Sequence, residues 1–264
     1  MPRSRLAVII AAVAAGFVLL ILVIVVVLAP QLRPAPEPQS KLSYAIPVAP
    51  VPISANAGNG VIANSPDPTW LAETSSATGI PPRVLAAYGG ASIAMVTEHP
   101  YCNLSWITLA GVGRIESRHG AANGSSIDDN GDATVPIVGP ELVGEGFNPQ
   151  DDTDGGELDG DTVGDRAVGP MQFLPSTWST YRSDGNQDGV FDPQNIDDAV
   201  IAAARYLCIA GDGDQNDRDV WRSAVSSYNA SDIYIADVAA AANEYAAAAG
   251  QPRWSYSPRA PLTR

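Results

Sequence analysis

Gly113-Arg114-Ile115-Glu116-Ser117-Arg118-His119-Gly120 is the stretch on which the reading of the fold turns. It closes an apolar helical pattern over residues 104–117, in which Ser105, Trp106, Ile107, Leu109, Ala110 and Ile115 leave a mainly apolar face. The pattern sets one carboxylate, Glu116, in the last helical turn. There the negative end of the helix dipole disfavours ionisation and raises a carboxyl pKa. A proton held near neutral pH suits a general acid. Gly111 and Gly113 weaken the helix but let a neighbour pack closely.

Outward from this helix the chain reads as mainly α. Helical patterns occupy residues 69–77, a segment opening at Gly79-Ile80-Pro81-Pro82 and running to about 97, then 175–181, 196–209, 220–228 and 231–249. Gly250 stands where a carboxyl-terminal cap is expected. Between Gly120 and Asp165 the pattern collapses into Gly, Asp, Asn and Pro, an insertion too long for an ordinary connection. Strand signals are few, at 134–138 and near Val190.

The ends are separate objects. Leu6 to Ala29 is an uninterrupted run of 24 apolar or small residues, preceded by Arg3 and Arg5. Residues 1–30 are therefore expected to be an uncleaved transmembrane anchor with a cytoplasmic amino terminus and the remainder on the cell-wall side. A cleaved signal would have to be cut after Ala29, ahead of Pro30. Residues 31–68 read as an extended Pro-rich linker, 69–250 as the folded domain and 251–264 as a basic tail.

The formal charge is −14, and 21 of the 29 acidic residues fall between Asp128 and Asp219. This excludes a nucleic-acid binder, which needs a basic face. It fits solvation, repulsion from anionic wall polymers or cation binding. Two cysteines, Cys102 and Cys208, lack Cys-x-x-Cys spacing, so redox catalysis and zinc are disfavoured; outside the membrane such a pair favours a disulfide. His99 and His119 are too few and too isolated for zinc.

A second motif lies about fifty residues beyond the first: Arg166-Ala167-Val168-Gly169-Pro170-Met171-Gln172-Phe173-Leu174-Pro175-Ser176-Thr177-Trp178. Gly169 and Pro170 make a turn; Gln172 can donate to and accept from an N-acetyl group, while Met171 and Phe173 offer apolar surface to a sugar face. As an isolated tripeptide Met-Gln-Phe is also an ordinary loop-to-helix junction.

In order and spacing, the two motifs resemble the lysozyme-like lytic transglycosylases, specifically the membrane-bound murein transglycosylase B group in its actinobacterial form. The resemblance spans about residues 102–243. It implies a mainly α, lysozyme-like (SLT) domain with a long Gly/Asp-rich insertion and little β structure. It implies peptidoglycan glycan strands as substrate and non-hydrolytic cleavage of the MurNAc-GlcNAc β-1,4 bond to 1,6-anhydroMurNAc ends. Glu116 would serve as acid and then base, assisted by the substrate's N-acetyl oxygen, an exception to the two-carboxylate rule of glycosidases. Ser117, Met171, Gln172, Phe173, Tyr228 and Asn229 would form the substrate site. Tyr228-Asn229-Ala230-Ser231 resembles the family's Tyr-Asn-x-Ser element, with Tyr228 orienting Glu116 and Asn229 binding sugar; Asn229 or Ser231 also reads as a helix cap. Cysteines at similar places in such sequences support a Cys102–Cys208 bridge.

Where Gram-negative relatives carry small and hydroxyl residues, this chain has Asp161 to Arg166. Asp165 could thus be the second carboxylate of a hydrolytic muramidase on the same frame. A non-catalytic peptidoglycan-binding scaffold that recruits cell-wall synthesis or division proteins is the other alternative. No cofactor is required by this chemistry. Asp184-Gly185-Asn186-Gln187-Asp188-Gly189-Val190 follows the first half of a calcium loop, with Asp184, Asn186, Asp188 and the Val190 carbonyl as ligands of a structural Ca2+. The twelfth position is Asn195 rather than Glu. Some relatives close the loop from the following helix, which points to Asp198, with Asp192 and Asp197 as competitors. A solvated Asp-Gly turn is the other reading.

Overall fold

The computed structural model describes residues 44–45, 48–55, 57–58, 60–141 and 151–250, all within the unit Leu42–Arg264. The anchor expected at 1–30 and the tail at 251–264 lie outside the described residues. Among the described residues no helix is long and apolar enough to cross a membrane.

Among the described residues seven α-helices follow one another: α1 (Pro68–Thr78), α2 (Pro82–Glu98), α3 (Trp106–Ser117), α4 (Pro175–Tyr181), α5 (Ile196–Gly211), α6 (Arg218–Tyr228) and α7 (Asp232–Ala248). Their starts follow from local chemistry. Asp67 accepts from the N–H groups of Thr69 and Trp70 ahead of Pro68 in α1, Ser105 accepts from Ile107 in α3, and Asn195 accepts from Asp197 in α5. The mainly α fold is as the periodicity indicated, with ends within two residues of most expected positions. Gly250, at φ 60°, ends α7 in the left-handed conformation.

α3 is the central helix. Trp106 through Gly113 are buried, and the helix packs chiefly against α7 and α2. Leu85, Tyr88, Leu109, Ala203, Leu207, Trp221 and Val238 fill the core around it. A buried charge fixes α2 to α5: Arg83 donates to both carboxylate oxygens of Asp197 at 2.9 and 2.6 Å, and also to the carbonyls of Asp129 and Asn130. Cys102 and Cys208 form a disulfide, 106 residues apart, that ties the turn after α2 to the end of α5.

Two expectations need correction. Residues 31–68 are not an extended linker throughout: Val51 and Ile62 are buried, Ser54 N–H donates to Ser65 O, Asp67 N–H to Pro52 O, and Ile62 N–H to Gly185 O. Apolar residues placed between prolines let this stretch cover α2 despite its lack of periodicity. The strand signals also dissolve. Among the described residues there are isolated bridges only, such as Ile127–Ala133 and Val138–Val168, and Val190 donates its N–H to the Asp188 side chain. The Gly/Asp-rich segment instead folds on its own carboxylates. Asp152 accepts from Asp154 and Gly155 N–H, Asp154 from Gly156 and Leu158 N–H, and Asp159 from Asp161 and Arg166 N–H.

Candidate active site

Glu116 lies one residue before the end of α3, half-buried. Immediately beyond it the chain turns through Arg118 (φ 54°), His119 (φ 63°) and Gly120 (φ 83°), all left-handed. This turn is stapled to the second motif by Ser117, whose hydroxyl donates to Pro170 O at 2.6 Å and accepts from Gly120 N–H at 2.8 Å. The two quoted segments, separate in sequence, thus meet through one buried serine.

The carboxyl of Glu116 accepts a 2.5 Å hydrogen bond at Oε1 from the hydroxyl of Tyr234, in the first turn of α7. Removal from water pushes the Glu116 carboxyl up to about 7, against the opposing effect of that bond. Tyr234 is raised far above the ordinary phenol value by burial and by the nearby carboxylate, so it remains a donor. Tyr228, expected to orient Glu116, instead donates to Met171 O at 2.9 Å. It still feels the Glu116 charge, which together with burial raises its own pKa.

The Gly169–Phe173 turn is a support rather than a binding surface. Gly169 has φ 76°, and a Cβ there would lie 1.8 Å from Pro193 O, so only glycine fits. Met171 is fully buried and Phe173 nearly so, packed between the rings of Trp178 and Tyr228. Neither presents a face to a sugar, contrary to expectation, because the turn faces into the core. Gln172, half-buried, donates from Nε2 to Gly169 O at 2.9 Å and so braces its own turn. Asn229 is exposed beyond α6, with Oδ1 accepting from Ser231 N–H.

The expected calcium ligands lie on one loop and the first turn of α5, where the Asn186 amide meets Asp188 and the Asp184 charge acts on Asp198. Asp198, fully buried, accepts at Oδ1 from Gly185 and Asn186 N–H and at Oδ2 from Asp192 N–H; burial still pushes it up to about 7. Asp184 accepts from Asp188 and Gly189 N–H, Asp188 from Val190 N–H, and the Asn186 amide donates to Asp188. These oxygens cap the loop's own amides. Among the described residues the carboxylates that converge within 4.8 Å are those of Asp152, Asp154 and Asp165.

Residues 149–221 match the family model for the transglycosylase SLT domain. The SLT segment contains the Gly169–Phe173 turn, α4 and α5, whereas Glu116, Tyr228 and Tyr234 lie outside it. No curated protein and no solved structure matches the chain. The SLT match supports a peptidoglycan-directed lytic transglycosylase in general terms, on a lysozyme-like helical fold.

Three hollows elsewhere in the domain do not include Glu116: one beside Met95, Leu104 and Trp106, one beside Arg83, Asp132 and Asp188, and one beside Trp178, Arg182 and Phe191. The residue that sequence reasoning missed is Tyr234. Its inward position was legible from the period of Tyr234, Ile235, Val238, Ala242 and Tyr245, but its partner, 118 residues away, was not.

Proposed function

We propose that this protein is a membrane-anchored lytic transglycosylase that cleaves the MurNAc-GlcNAc β-1,4 bond of peptidoglycan without water. The observation that carries the proposal is the environment of Glu116: a half-buried carboxyl with a raised pKa, one oxygen engaged by Tyr234, and no hydrogen bond to Oε2 among the described residues. Oε2 is then the atom that holds the transferable proton. It passes this proton to the leaving glycosidic oxygen as the C1–O bond breaks. The substrate's N-acetyl oxygen stabilises the positive charge at C1, the muramic 6-hydroxyl attacks C1, and its proton returns to Glu116. No water is consumed and the ring closes as the 1,6-anhydro sugar.

A hydrolase would need a second carboxylate to activate water. Asp165, the residue considered for that task, is 2% exposed, and its oxygens accept from the N–H and hydroxyl of Thr153. That engagement favours the anhydro route. The anchor at 1–30, a location on the cell-wall side and partners in wall synthesis or division belong to the same proposal.

The test is mass spectrometry of purified peptidoglycan after incubation with the full-length protein and with Glu116→Gln. Anhydromuramoyl ends from the parent alone are expected. Reducing ends would make the protein a muramidase, and binding without products would make it a scaffold.

A further inference from the structure

His119 has no part in the chemistry above, yet both of its ring nitrogens are engaged by tyrosines from two different helices. Nδ1 lies 3.0 Å from the hydroxyl of Tyr88 on α2, and Nε2 lies 2.7 Å from the hydroxyl of Tyr245 on α7. Tyr88 is fully buried and Tyr245 nearly so. The backbone of the same residue is held as well, His119 N–H donating to Gly113 O at 2.9 Å.

The cost of this arrangement is visible in two places. Arg118 and His119 both adopt the left-handed conformation, which crowds the Cβ of a non-glycine residue against its own backbone. In the middle of α3, Gly113 replaces a better helix former; a Cβ there would lie 2.0 Å from the Tyr88 hydroxyl. A helix weakened at its centre to admit one hydroxyl, and a turn held in a disfavoured conformation, converge on the same imidazole.

We infer that Tyr88, His119 and Tyr245 form a strut that positions Glu116, clamping the carboxyl end of α3 between α2 and α7 so that the carboxyl stays against Tyr234. This inference rests on the role proposed for Glu116 above. His119 is a positioning residue: it sits three residues beyond Glu116, in the turn that ends α3, and acts on it through that turn. The groups facing the imidazole are Tyr88 from α2, Tyr245 from α7 and Arg114 from α3; Arg114 also lies over the Tyr245 ring at 5.6 Å and pairs with Glu244 of α7 at 2.6 Å. Burial, then the Arg114 charge, lowers His119 to about 4, so the ring stays neutral, with one donor and one acceptor nitrogen to match two hydroxyls.

The test is a carboxyl-carbon NMR titration of Glu116 in the full-length protein, with the signal assigned by its loss in Glu116→Gln, repeated in His119→Phe and His119→Gln. In His119→Phe the end of α3 is released, the carboxyl meets water, and its midpoint falls toward the ordinary carboxylate range. His119→Gln, which can both donate and accept, restores part of the shift. A destabilised fold with an unmoved Glu116 midpoint would overturn the strut and leave His119 a merely structural residue. Peptidoglycan cleavage, measured alongside, is expected to fall roughly ten- to hundredfold in His119→Phe, as for other displaced catalytic groups, with the alkaline limb of its pH profile moving down. If the titration moves as stated but the parent cleaves nothing, the strut stands and the enzymatic role of Glu116 fails.

Discussion

Tyr234 donates to Oε1 of Glu116 across 2.5 Å, joining the last turn of α3 to the first turn of α7. The bond favours the ionised carboxylate, so it opposes the burial that raises the pKa. Tyr234→Phe removes the opposing effect. The Glu116 midpoint should rise above about 7, and the alkaline limb of the pH–activity profile should move up with it. Turnover should fall by roughly ten- to hundredfold, because the orientation of the acid is lost. A steady-state pH profile of the variant checks both effects.

The same pKa has a consequence for stability. Glu116 moves from an ordinary 4.5 to about 7 on folding, so the folded state holds its proton more tightly than the unfolded chain. Its contribution is fully present below about pH 4.5 and is lost as pH rises through about 7. Glu116→Gln should remove this dependence and be more stable than the parent above pH 7, by at most on the order of 3 kcal/mol. Urea unfolding at several pH values measures the difference.

Ser117→Ala removes the staple between the two motifs. Pro170 O and Gly120 N–H lose their partner in a buried setting, at a cost of about 2 kcal/mol. Activity should fall with the loosened turn while the helical circular dichroism is retained.

Arg83→Ala should cost about 3–5 kcal/mol, because it strands the fully buried carboxylate of Asp197. Thermal unfolding of the single variant and of Arg83→Ala with Asp197→Asn separates the two contributions. The double variant should recover part of the loss.

The Cys102–Cys208 bridge closes 106 residues. Replacing both cysteines by alanine should lower stability by roughly 3–5 kcal/mol in the chain-entropy account. Denaturant unfolding without reductant measures the effect.

Much of the helical frame was legible because its signals are local. Pro68, Pro82 and Pro175 sit in first turns, Asp67, Ser105 and Asn195 cap helices, and Gly79 and Gly250 end them in left-handed turns. The Asp-rich segment is less legible for a related reason. Alternating Asp and Gly reads equally as cation ligands or as side chains capping nearby N–H groups, and Asp184, Asp188 and Asp198 each cap loop amides.

By itself the sequence determined the mainly helical class, the placement of Glu116 in a final helical turn, and the Gly169-Pro170 turn, since each depends on residues a few positions apart. The tertiary structure decided which tyrosine engages Glu116, that Met171 and Phe173 are core, and that His119 bridges Tyr88 and Tyr245. Those outcomes depend on how α2, α3, α6 and α7 pack. Periodicity shows which face of a helix turns inward, but a hydroxyl's partner is set by the neighbouring helix that it meets there.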